Sequence, residues 1–175
     1  MMGKFTIVYQ RSHDIDWFAR VGHIYIHAMS FGGLLPASVN TWITNLNMLR
    51  MAYRMQITDV NVVFSDYVEG VLRENNEELG HQQDRERYLT HFRDMARRGF
   101  WSFDRDPHNE DVYHLIARPS EGILNNRYIH GMPELTDGRL EPNPSERDMR
   151  DVRDVRLVII DARGTGQWHQ LKLRV

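Results

Sequence analysis

Between His13 and Met29 the chain reads HDIDWFARVGHIYIHAM, and polar and apolar residues alternate on both sides of a central Val-Gly pair. Period-two alternation on two neighbouring runs predicts an antiparallel β-hairpin with one apolar and one polar face. With the turn at Val21-Gly22, Arg20 falls opposite His23, Phe18 opposite Tyr25 and Asp16 opposite His27. Ile15, Trp17, Ala19, Ile24, Ile26 and Ala28 then share the apolar face. Asp14, Asp16, Phe18, Arg20, His23, Tyr25 and His27 share the other.

Upstream, Phe5 to Gln10 is rich in β-branched and aromatic residues and predicts a first strand. Ser30-Phe31-Gly32-Gly33-Leu34-Leu35-Pro36 breaks the alternation as a loop. Beyond it, Ser38 or Asn40 can cap a helix whose inward residues are Val39, Trp42, Ile43, Leu46, Leu49 and Tyr53. Val60 to Phe64 has the look of a short buried strand, and Asp66 with Glu69 that of a capping box opening a helix through Leu72. A further helix is predicted from about Asp84 to Arg98, with Tyr88, Leu89, Phe92, Met95 and Ala96 inward and Gly99 as its stop.

Two strands follow, Phe100 to Asp104 and Val112 to Ala117, joined by a polar loop at Pro107. The chain closes on a second hairpin, Val155 to Asp161 and Trp168 to Val175, turning at residues 163–166. From 118 to 153 the periodicity fails, prolines recur, and acids alternate with arginines toward the end. That stretch reads as an irregular segment, a long loop or a partner-binding arm. Strands in hairpins with helices grouped between them give an α+β fold. The expectation is a mostly antiparallel sheet built from hairpins, with about three helices on one face, in a single domain over 1–175.

Charge changes this picture little. Lys and Arg number 22 against 24 Asp and Glu, so the chain has no net field to recruit nucleic acid or an anionic membrane. It has no cysteine, which excludes a thiol nucleophile and every thiolate zinc site and fits a reducing compartment. The opening MMGKFTIVYQ does not read as a signal peptide, and no apolar run is long enough to span a bilayer. The chain is therefore expected to be soluble and cytoplasmic.

The polar hairpin face is where chemistry is expected. Side chains directly opposed in an antiparallel pair lie about 4.5–5.5 Å apart, so Asp16 can orient His27 as a general base. Tyr25, Arg20 and His23 would then contact substrate. His23 and His27, two pleats apart on one face, could instead hold a divalent metal with Asp14 or Asp16. A plainer reading makes this face the solvated side of the sheet. Ser30, Gly32 and Gly33, between a strand and a helix, could bind an anionic ligand through backbone N–H groups, with a simple turn as the plainer reading. His114, on a strand face with Val112 and Ile116, reads as a hydrogen-bonded core histidine.

No complete catalytic signature is present. The sequence thus points to a soluble bacterial or phage accessory protein acting through a protein partner or as a homo-oligomer, with no cofactor, nucleic acid or membrane. The alternative is a small hydrolase or transferase built on an Asp16–His27 dyad, with metal assistance in one version.

Overall fold

The alternation from Asp16 to Met29 folds as two antiparallel strands, β1 (Asp16–Val21) and β2 (Ile24–Met29), in the computed structural model of the protein. The structure describes residues 3–21, 24–35, 39–40, 42–65, 67–68, 72, 82–106, 108, 112–121, 132–133, 154–160 and 168–174. The faces are those expected, but the register is displaced by two residues: Asp16 pairs with Met29, Phe18 with His27, Arg20 with Tyr25 and Val21 with Ile24. Closing the ladder at Val21 and Ile24 leaves Gly22-His23 as a two-residue connection, the favoured hairpin length. A shift of two preserves which side chains share a face, because the pleat has period two.

The remaining strands are β3 (Val62–Phe64), β4 (Trp101–Arg105), β5 (Val112–Pro119), β6 (Asp154–Ile160) and β7 (Trp168–Arg174). They extend the hairpin into a seven-stranded sheet of order β1-β2-β4-β5-β6-β7. β3 pairs with the C-terminal end of β5 and β6 with its N-terminal end. The β2/β4 and β5/β6 pairs are parallel and the others antiparallel, so the fold is α+β with a mostly antiparallel sheet.

Among the described residues, three helices with complete bounds accompany the sheet: α1 (Ile7–Ser12), α2 (Trp42–Arg54) and α3 (Gln82–Arg97). α1 replaces the strand expected at Phe5–Gln10. The Thr6 side chain caps it by accepting from the Tyr9 N–H, and Phe5, Tyr9 and His13 stack at helical spacing. Buried Gln10 then ties the helix down, donating to Phe5 O and accepting from Leu35 N–H. Capping and tertiary bonds override a β propensity worth at most about 1 kcal/mol across its scale.

Of the α2 side chains that the structure describes, Asn45, Met48 and Ala52 are buried, while Tyr53 is 54% exposed. The inward stripe is therefore rotated away from the Tyr53 side expected, and the Arg98 guanidinium covers the Tyr53 ring from outside. α3 matches its pattern closely, with Leu89, Phe92, Met95 and Ala96 buried. It ends at Gly99, whose φ of +99° lets Gly99 N–H reach Ala96 O and Phe100 N–H reach Met95 O. Those two bonds are a Schellman stop. The helix expected at Asp66–Leu72 lies mostly outside the described residues, but Val68 and Leu72 there are buried.

Both faces of the sheet are covered over β1, β2, β4 and β5. Trp17, Ala19, Ile26, Ala28, Phe103, Tyr113 and Leu115 form one core, against which Phe5 and Tyr9 pack. On the other face Phe18 packs with Met48, Ala52, Met95 and Phe100, and Ile116 with Leu89, Phe92 and Ala96. The polar face of the hairpin is thus covered at its centre, while Asp14 is exposed and Asp16, Arg20 and Tyr25 are partly so. Phe18 and His27 are wholly buried beneath α2 and α3 because their own helix stripes need that surface. Within the irregular 118–153 segment, Met132 is buried in the Phe18 cluster, and Pro133 O accepts from Arg20 N–H of β1. Nearly all the rest of that segment is outside the described residues. Among the described residues, no helix is long and apolar enough to cross a membrane.

Candidate metal centre

β2 and β4 run parallel with His27 beside Ser102, and both side chains point under α3. Ser102 Oγ lies 2.6 Å from His27 Nδ1. The other ring nitrogen, Nε2, lies 3.3 Å from Asp16 Oδ1, reached diagonally across the β1/β2 ladder. A second imidazole arrives from above. His91, one turn along α3 from Tyr88, puts its Nε2 3.4 Å from the same Asp16 oxygen. That contact is at ion-pair distance without the alignment of a hydrogen bond, and His91 Nε2 is otherwise buried and unpartnered.

The three groups share their charge unevenly. Burial pushes the Asp16 carboxyl up, but its contacts with His27 and His91 outweigh this and hold it far below the usual carboxylate range. Burial lowers the His27 pKa despite Asp16, so this ring is neutral near pH 7. The Asp16 contact raises the His91 pKa against its own partial burial, which favours the charged form of that ring. Without a cation, neutral His27 donates to Asp16 and accepts from Ser102, and His91 beside the carboxylate favours its charged form.

The same three atoms fit a metal. Ligands about 2.0–2.2 Å from a tetrahedral ion lie about 3.4 Å from each other, close to both Asp16 distances. All three ligand atoms lie within 4.8 Å of one another. Two imidazoles and one carboxylate suit zinc or another divalent first-row ion. Ser102 supplies what a ligating histidine needs behind it: a partner on the second nitrogen that fixes tautomer and ring orientation. His27 is sealed, whereas the Asp16 and His91 side chains are 20% and 28% exposed. Asp16 lines a cleft of about 220 Å³ with Asp14, His13, Tyr9 and residues of α2, so the centre has a route to solvent.

Of the residues expected to act together, the structure joins Asp16 and His27, with Asp14 in the adjoining cleft, and places Arg20 and Tyr25 further along the hairpin. Arg20 and Tyr25 pair with each other toward the turn end of the hairpin, beyond Phe18, and Tyr25 packs against the Phe18 cluster. His23 lies outside the described residues. Asp14 borders the cleft, where burial raises its carboxyl and its Oδ1 accepts from Phe31 N–H. Ser30 Oγ accepts from Ile15 N–H, and Gly33 N–H donates to Ser30 O. Those groups of the Ser30–Gly33 loop are spent within the protein, and Gly32 holds its φ of +69°.

His91 and Ser102 were not singled out from sequence. His91 sits within the apolar stripe of α3 at three-residue spacing from Tyr88 and four from Met95, so a lone polar residue on a buried stripe was the available signal. His114 does not join His27. It stacks on Tyr67 at 3.5 Å between ring centroids and hydrogen-bonds Asp106 at 2.7 Å. Next to it in the sheet, burial pushes Asp104 up to about 6, and Tyr88 donates to it at 2.6 Å. Comparison of the chain with family models, curated proteins and solved structures gives no match.

Proposed function

We propose that the protein is a small metal-assisted hydrolase whose centre is Asp16, His27 and His91. The observation that carries this reading is the convergence of two imidazole nitrogens on one carboxylate oxygen at 3.3 and 3.4 Å, with Ser102 behind the buried ring and a cleft in front. A divalent cation held there would supply Lewis acidity and bring a coordinated water to a pKa of about 7.

The chain's own residues supply the rest. With a cation held there, His27 would take the other tautomer, Nδ1–H donating to Ser102 and the Nε2 lone pair directed at the centre. Asp16 contributes the negative charge and faces the cleft. His91, held less tightly, completes the set from α3. Asp14, on the cleft wall with a raised carboxyl, is placed to take a proton there. The 118–153 segment supports a partner-binding role less well, because its described residues Met132 and Pro133 pack into the protein itself.

Hydrolysis of p-nitrophenyl acetate and bis-p-nitrophenyl phosphate tests the proposal, using chelator-treated protein reloaded with zinc, manganese or cobalt. Activity is expected only in a reloaded form and is lost in His91→Ala. Absence of metal-dependent turnover in the folded wild type on either class of substrate would overturn it.

A further inference from the structure

The cleft beside Asp16 is lined by two kinds of side chain. One is aromatic: Phe5, Tyr9 and His13 stack in a row, centroids 5.4 and 3.9 Å apart and planes within 19° and 10° of parallel. α1 makes this ladder, because residues four apart on a helix rise on one face. The other is aliphatic: Leu46 and Leu49 of α2, and Ile15. Asn45, only 4% exposed, lines the same cleft. Its Nδ2 donates to Val39 O at 3.0 Å, and its Oδ1 has no partner. Native proteins keep few buried acceptors unpaired, so this oxygen awaits a donor.

Size and polarity narrow what that donor belongs to. A cavity of about 150 Å³ lined by apolar side chains takes up benzene, so a cleft of about 220 Å³ admits one substituted or fused ring. Its walls favour a flat, apolar face, and Asn45 requires a hydrogen on the ring or directly attached to it. Asp14 and Asp16 mark the polar end, where the group to be transformed would sit.

We propose that the cleft binds a nitrogen heterocycle bearing an N–H donor. The ring lies against the Tyr9 wall, its N–H on Asn45 Oδ1 and its substituent directed at the Asp16 centre. This names the substrate class for the hydrolase reading and rests on that reading for the chemistry, though ring binding itself requires no metal.

Indole and indene are nearly the same shape, and indole alone carries the N–H. Titrating each into the full-length protein, followed by backbone and Asn side-chain amide NMR shifts, compares them directly. Indole is expected to shift residues 9, 13, 45, 46 and 49 and to bind about 10-fold more tightly than indene, the upper range for one hydrogen bond. In Asn45→Ala that preference falls to near unity, while Tyr9→Ala weakens both ligands. Equal binding of the two rings to the wild type, no binding of either, or shifts elsewhere would overturn the proposal. Repeating the titration with chelator and on His91→Ala separates the two claims. Retained indole preference there, with no metal-dependent turnover in the wild type, sinks the hydrolase and leaves the ring site standing. Loss of the preference alongside normal turnover does the reverse.

Discussion

Ser102→Ala probes the least visible part of the centre. The substitution removes one hydroxyl from a site with no exposure and leaves His27 Nδ1, 2.6 Å away, without its partner. Stranding a buried polar group costs about 1–3 kcal/mol. For a chain of this length, at about 2–4 °C per kcal/mol, the melting temperature should fall by roughly 2–12 °C. The metal arm adds an independent number: losing the group that orients a ligating histidine weakens metal binding about 10–100-fold. Urea unfolding with chelator present measures the first effect. Competition with a chromophoric chelator measures the second on protein shown to be folded. A stability change within about 0.5 kcal/mol, the range of an ordinary surface substitution, together with unchanged metal affinity, would refute the reasoning.

Three further outcomes are expected. In metal-free protein, His91 has a folded pKa raised above its unfolded 6.5, so its stabilisation is fully present below that value and is lost as pH rises through the folded pKa. The destabilisation by His91→Ala should therefore be larger at about pH 5.5 than at about pH 8.5 in paired urea titrations, and a difference that grew with pH would contradict the Asp16 pairing. Asp104, pushed up to about 6 by burial, binds a proton more readily folded than unfolded, so it withdraws stability as pH rises from 3.8 toward 6. Asp104→Asn should flatten that fall, and an unchanged pH profile would place the carboxyl in water. Met132→Ala should cost about 2–5 kcal/mol by chemical denaturation, although it lies in a stretch without periodicity. A cost near zero would mean the residue does not pack on Phe18.

Elements whose apolar residues repeat along the sequence were legible there. The hairpin faces, α3 with its Gly99 stop, and the terminal β6/β7 pair all carry such a signal, and all are present. α1 was hidden because Thr6 capping and the Leu35–Gln10 bond, 25 residues apart, decide its conformation. The hairpin register was hidden because a two-residue slip leaves the alternation unchanged. At the site, Asp16 and His27 were visible as neighbours on one face. His91 and Ser102 reach them from 64 and 75 residues along the chain from His27, through the parallel β2/β4 pairing and the seating of α3, and no local pattern encodes either. The covering of the polar face follows from the same long-range packing. A solvated and a helix-covered strand face differ only in what lies elsewhere in the chain.

The visible absorption spectrum of the cobalt(II)-loaded protein tests the central claim most directly. One cobalt per chain is expected, with ligand-field bands of the intensity of a four-coordinate site. His91→Ala should lose those bands while keeping the wild-type circular dichroism. A folded wild-type protein that takes up no cobalt, or whose spectrum is the same with and without His91, would contradict a metal centre at Asp16, His27 and His91.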